Sequence, residues 1–325
     1  MHLLNIKAIF LSLLILPFTA GAQPDGEPLT SVSPVSGSTY IMPGNNIALR
    51  HGDPFDPACL GQDLLEVKDS RGDRLPGKII LSDDHRTLIF LPESPYMLGE
   101  EITVRLLEGL KTVRGTMIEP LEFNFFITEH LVPVDEAFID KYILERESGL
   151  IKPTGMTRAT TGTSLNDPLP AGYPAIEVLV DNDPPPGYYF YAPQDDWNWF
   201  DDTDPFLTIV DKYGTPVYYR KLESSGYELK RLTNGLLSFY SFHPFWYHMI
   251  MDSAYNIIDQ YKMENGYPYT DFHDFQLLDN GHSFVMAYDA QLVDMSQVVP
   301  GGNPEAIVTG FVLQELDMSR NVVLQ

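Results

Sequence analysis

The sequence predicts an all-β protein, a β-sandwich followed by a run of repeated propeller-type sheets, and three observations carry that prediction. First, Tyr227-Glu-Leu-Lys-Arg-Leu-Thr-Asn-Gly235 is echoed by His273-Asp-Phe-Gln-Leu-Leu-Asp-Asn-Gly281, so that the two glycines stand 46 positions apart. In both, a strand-like run enters an Asn-Gly pair and an apolar run follows, a strong hairpin signal. Second, an apolar strand, an Asp and a short turn recur at Leu207–Asp211, Met249–Asp252 and Val312–Asp317. A four-stranded unit repeating every ~40–50 residues marks a propeller blade. Third, residues 31–130 alternate short β-type runs with turn clusters, which is the pattern of a sandwich.

The elements follow in order. Residues 1–22 read as a signal peptide: Lys7 supplies the charge, Ala8 to Phe18 the apolar run, and Ala20-Gly21-Ala22 the small-residue cleavage site. That run is well short of the ~20 residues that span a bilayer. The mature chain is therefore expected to start near Gln23 and to be secreted, periplasmic or at the cell surface, with no membrane span. In the sandwich region the clear strands are Lys78–Leu81, Thr87–Leu91, Glu101–Leu106 and Leu121–Thr128. Ser82-Asp-Asp-His85 and Pro92-Glu-Ser-Pro95 supply the turns between them. Residues 131–172 read as a helical connector and linker, the helix falling at 134–150 with acidic residues in its first turn. From 173 to 325 the β-repeat dominates. At the observed period it amounts to about three blades, fewer than the 4–8 that close a ring, so an incomplete propeller is expected.

Composition narrows the chemistry. The net charge of −24 argues against nucleic acid, whose binding needs clustered Lys and Arg. Cys59 is alone, so no intrachain disulfide forms, and the Cys-x-Pro-x-Arg run of sulfatases is absent around it. Neither a Walker loop, a Gly-x-Ser-x-Gly elbow nor a dinucleotide fingerprint is present, and no cofactor is expected.

Two resemblances add to this reading. Val32-Ser-Pro-Val-Ser-Gly-Ser38 and Leu81-Ser-Asp-Asp-His-Arg-Thr-Leu-Ile-Phe90 resemble the bacterial Ig-like domains of surface proteins. Residues 175–325 resemble the bacterial arylsulfotransferase family, through Pro185-Pro-Gly-Tyr-Tyr-Phe-Tyr-Ala-Pro193, Leu207-Thr-Ile-Val-Asp-Lys-Tyr-Gly-Thr-Pro-Val-Tyr-Tyr219 and above all Phe272-His-Asp-Phe-Gln-Leu-Leu-Asp-Asn-Gly-His282. The second resemblance implies an Ig-like sandwich followed by a six-bladed propeller. It also implies transfer of a sulfuryl group from a phenolic sulfate ester to a phenol through a sulfohistidine, without a nucleotide donor. The small phenolic donor and acceptor would be its partners. In that family the sulfated histidine lies in a later blade than this His-Asp-Phe element, so here it is expected after residue 325.

The residues themselves agree in part. A sulfuryl group in transit carries negative charge, so its transfer needs positioned donors, a nucleophile and an acid–base group. His273 and Tyr227 precede their glycines by the same number of positions, so both are expected to face one channel as substrate-binding residues, with His273 assisting catalysis. Asp274 is expected to bond to a neighbouring blade, and His282, after the turn glycine, to face solvent. His243, His248 and His273 form a weak candidate metal set without a cysteine, and no metal is expected. Trp197-Asn-Trp199-Phe200 reads as an edge loop, or as a carbohydrate-type platform. Residues 161–325 hold seven Lys/Arg against 23 Asp/Glu, a poor balance for an anionic substrate. The alternative function is a non-catalytic surface propeller that binds polymers or proteins.

Overall fold

A computed structural model describes residues 26–132 except Gln62, residues 169–193 except 171, 175, 177 and 181, residues 205–242 except 224, and residues 246–325. The expected signal segment and connector helix, the Trp197–Phe200 cluster and His243 fall outside these. The described residues are all-β, with two short 3₁₀ turns and no α-helix. None of their helices is long and apolar enough to cross a membrane.

The N-terminal part is a sandwich of two antiparallel sheets. Strands β1 (Ser31–Ser33), β2 (Ile47–Arg50), β3 (Leu65–Lys68), β4 (Gly77–Leu81), β5 (Thr87–Pro92), β6 (Glu101–Leu106) and β7 (Leu121–Phe126) pair as β1-β2-β5-β4 and β3-β6-β7. Alternation sends Val67, Val104, Phe123 and Phe125 from one sheet onto Leu49, Leu88 and Phe90 of the other, all of them buried in one core. Sequence patterning finds β4 to β7, which are five or six residues long and rich in β-branched, aliphatic and aromatic side chains. It passes over β1 to β3, which are three or four residues long.

Three antiparallel sheets follow. Strands β8 (Tyr188–Tyr191), β9 (Phe206–Asp211) and β10 (Pro216–Lys221) form the first. Strands β11 (Gly226–Arg231), β12 (Leu237–Ser241), β13 (Tyr247–Met251) and β14 (Ile257–Tyr261) form the second, and β15 (Gln276–Leu277), β16 (Ser283–Val293), β17 (Ala306–Leu316) and β18 (Val322–Leu324) the third. Each sheet keeps chain order, as blade meanders do.

One turn recurs in each of these sheets. In β9–β10 the Asp211 N–H donates to Thr215 O and Gly214 N–H to Asp211 O, while the Asp211 carboxylate accepts the N–H groups of Tyr213 and Thr215. Asp252 and Asp317 repeat this at β13–β14 and β17–β18, and Asp69 repeats it in the sandwich. The recurring Asp is thus an Asx-turn residue that satisfies the loop's own donors. Hydrogen bonds from the Asn256 side chain and backbone hold Asp252 below the usual carboxylate range.

The Asn-Gly hairpins use the same backbone path. Only the glycine is left-handed, with φ +86 at Gly235 and +85 at Gly281, so these are three-residue loops with a bulge rather than two-residue turns. A Cβ at Gly235 would meet nothing closer than Arg231 Nη2 at 3.6 Å, whereas at Gly281 it would press Met318 Cγ at 2.7 Å. Gly235→Ala is therefore expected to cost about 1 kcal/mol from backbone strain alone, and Gly281→Ala measurably more. Urea titration of the two variants checks the order.

The sandwich meets the third sheet along a polar seam. Asn46 Nδ2 donates to Val322 O at 2.8 Å, Gln325 Nε2 to Asn45 Oδ1 at 2.8 Å, and Thr128 Oγ1 to Gln291 Oε1 at 2.9 Å. Asn45 and Asn46 are buried, so each such bond replaces water at a group that cannot be left bare.

Candidate functional site

The strongest constellation lies where the second and third sheets meet, and it begins with Asp271. Its backbone N–H donates to Met286 O of β16 at 2.8 Å, and its carboxylate is 1% exposed. That carboxylate accepts from the His273 N–H at 2.9 Å, the Asx geometry that bends the chain after Phe272. It also lies 3.0 Å from His273 Nδ1. An ionised carboxylate only accepts, so His273 carries a proton on Nδ1 and, when neutral, its lone pair on Nε2.

His273 is therefore not on a strand, as the hairpin pattern predicted. It sits in a bend three residues before the two-residue strand β15, because the Asp271 carboxylate has taken its N–H out of the ladder. The expected pairing with Tyr227 nevertheless exists. Tyr227, on β11, holds its ring 6.2 Å from that of His273 in an edge-on arrangement. Phe272 stacks on the imidazole at 4.1 Å, and Tyr288 of β16 approaches edge-on at 6.4 Å. An oriented imidazole thus sits among three aromatic rings, with its side chain 37% exposed.

Asp274 and its repeat equivalent, Glu228, form the second part. Lys230 Nζ lies 2.5 Å from Asp274 Oδ1 and also bonds Glu228 Oε1, so one ammonium bridges two carboxyls from adjacent sheets. Glu228 stands at φ +53, where the β11–β12 register shifts between Tyr227 and Lys230. A side chain at such a φ is strained, and strain of this kind gathers at functional sites. Burial pushes the Glu228 carboxyl up to about 8, against the pull of Lys230 and with help from Asp274. Asp274 goes the other way: hydrogen bonds from Lys230 and Gln276 outweigh burial and hold it below its ordinary value. The two carboxyls titrate as a pair, with Glu228 the weaker acid.

Sequence reasoning missed Glu228, Lys230 and Asp271. The signal for Glu228 was present, since the 46-residue offset that matches Tyr227 to His273 also matches Glu228 to Asp274. Other expectations change. His282 does not face solvent: it is 1% exposed, with Nδ1 2.7 Å from Glu315 and Nε2 2.9 Å from Asp83 of the sandwich. His248 is fully buried on β13, with Nε2 2.9 Å from Asp271 O. No group of His, Cys, Asp and Glu that could hold a metal occurs among the described residues. Cys59 is half-buried and donates to Asp56 O.

The chain matches no protein-family model and no curated protein. Among solved structures it is similar to CopC from Methylosinus trichosporium OB3b, at 18% identity over 32% of this chain and 96% of that one, with a TM-score of 0.24. It is also similar to an L,D-transpeptidase from Mycobacterium tuberculosis H37Rv, at 19% identity over 31% of this chain and 40% of that one, TM-score 0.22. Domains 1–6 of the surface layer protein SbsC match 91% of this chain and 33% of their own, at 12% identity and a TM-score of 0.26. At these scores the likeness assigns neither a family nor a function.

Proposed function

We propose that this protein is exported and acts on aryl sulfates, assisting transfer of a sulfuryl group from a phenolic sulfate ester to a phenol within a propeller-type scaffold. The supporting observation is the Asp271–His273 pair set among Phe272, Tyr227 and Tyr288. Aromatic walls suit an aryl ester, and an imidazole held by a buried carboxylate suits proton transfer at its phenolic oxygen. In this reading the donor's S–O bond breaks, and protonated His273 gives its Nε2 proton to the departing phenolate. A histidine other than His273 carries the sulfuryl group between half-reactions. Neutral His273 then takes the proton of the acceptor phenol as the phenol oxygen bonds to sulfur and the bond from sulfur to the carrier histidine's nitrogen breaks. Asp271 holds the ring's orientation throughout and stabilises its charged form.

The test is turnover of p-nitrophenyl sulfate by the purified full-length protein, with a phenol acceptor and no nucleotide. The expected result is p-nitrophenolate release that depends on the acceptor, with the sulfated acceptor identified by mass. Absence of both would overturn the reading and leave the surface-binding alternative.

A further inference from the structure

We propose that His248 is a positioning residue for His273 and acts through the main chain of Asp271. Its Nε2 lies 2.9 Å from Asp271 O. A carbonyl oxygen only accepts, so the proton of His248 is on Nε2 and its lone pair on Nδ1. That Nδ1 is buried and finds no hydrogen-bonding partner among the described residues. Burial is the main cause of a pKa lowered to about 4, so the ring stays neutral. Phe275 stacks on it at 5.1 Å and Tyr240 meets it edge-on at 5.0 Å. A phenylalanine would fill this apolar slot without stranding a nitrogen, so packing alone does not account for an imidazole here. What the imidazole adds is the donor to Asp271. That residue is then held from two sheets, by His248 of β13 at its carbonyl and by Met286 O of β16 at its N–H. Its carboxylate lies with Oδ1 at 3.1 Å and Oδ2 at 3.0 Å from His273 Nδ1. The chain of contacts runs from His248 through Asp271 to His273, and it sets which nitrogen of His273 bears the proton.

The test compares His248→Phe, His248→Gln and His248→Asn in the full chain. The first readout is the tautomer of His273, from ¹⁵N chemical shifts of its side chain. The second is kcat and KM for aryl sulfate turnover, which rests on the proposed function. In the unsubstituted protein His273 is expected to carry its proton on Nδ1. His248→Phe is expected to mix the two tautomers and to lower kcat about tenfold, the rate equivalent of one ordinary hydrogen bond, with KM little changed. His248→Gln, whose amide nitrogen reaches the place of Nε2, restores both. His248→Asn does not reach it, so the Gln–Asn contrast carries the test if the Phe variant fails to fold. An unchanged His273 tautomer in both the Phe and Asn variants overturns the inference, as does a Gln variant as defective as Asn. If the tautomer responds while His273 proves irrelevant to sulfuryl transfer, the positioning stands and the function falls.

Discussion

His282→Ala is expected to lower the free energy of unfolding by about 3 kcal/mol near pH 6, the low end for breaking a buried ion pair. His282 joins Asp83 of the sandwich to Glu315 of β17, both of which are 14% exposed, while Asp83 Oδ2 also accepts the Met318 N–H. Two carboxylates on two ring nitrogens require both nitrogens to donate, so the bound form is the imidazolium. Burial opposes that charge, but the hydrogen bonds to Glu315 and Asp83 outweigh it and raise the pKa above its ordinary value of 6.5. Asp84 adds to the negative field around the ring.

The sign of the pH dependence follows. A group whose pKa is raised on folding contributes its full stabilisation below the unfolded value, and that contribution is lost as pH rises through the folded value. The wild-type advantage over His282→Ala should therefore be largest near pH 6 and shrink towards pH 9. Urea unfolding of both proteins across that range measures it. Parallel pH profiles would mean that the ring is not charged in the fold.

Loss of His273 is expected to cost on the order of 10²–10³ in aryl sulfate turnover, as removal of a donor to developing charge does. Alanine is the less informative substitution. It removes the side-chain partner of the buried Asp271 carboxylate and so also lowers stability, by about 1–3 kcal/mol. His273→Asn separates the effects, because its amide nitrogen takes the place of Nδ1 beside Asp271 while nothing takes the place of Nε2. The expected outcome is a melting temperature close to wild type with turnover reduced as far as in His273→Ala. Full activity in the Asn variant would return His273 to a structural role.

Local chemistry made the hairpins legible before the structure. The turn at Asp211, Asp252 and Asp317 closes on the N–H groups two and four residues later, so it is written within five consecutive positions. The same holds for Gly235 and Gly281, whose left-handed backbone only glycine adopts without strain. Equal spacing from those glycines was enough to bring Tyr227 and His273 together across two sheets, because a repeat places equivalent positions side by side. Thr233 and Asp279, which share that offset, touch as well.

The identity of the partners belonged to the tertiary structure. Lys230 meets Asp274 across 44 positions, His248 meets Asp271 across 23, and His282 meets Asp83 across 199. A histidine after a turn glycine is expected to face water, and His282 would do so if the sandwich did not bring a carboxylate onto it. The sequence by itself therefore determined strands β4 to β7, the hairpin turns at the recurring Asp and Gly positions and the pairing of Tyr227 with His273, because those depend on local pattern, on hydrogen bonds within one turn and on a fixed repeat. Only the tertiary structure decided which side chains are charged, buried and oriented, because solvation and Coulomb energies depend on distance through space rather than along the chain.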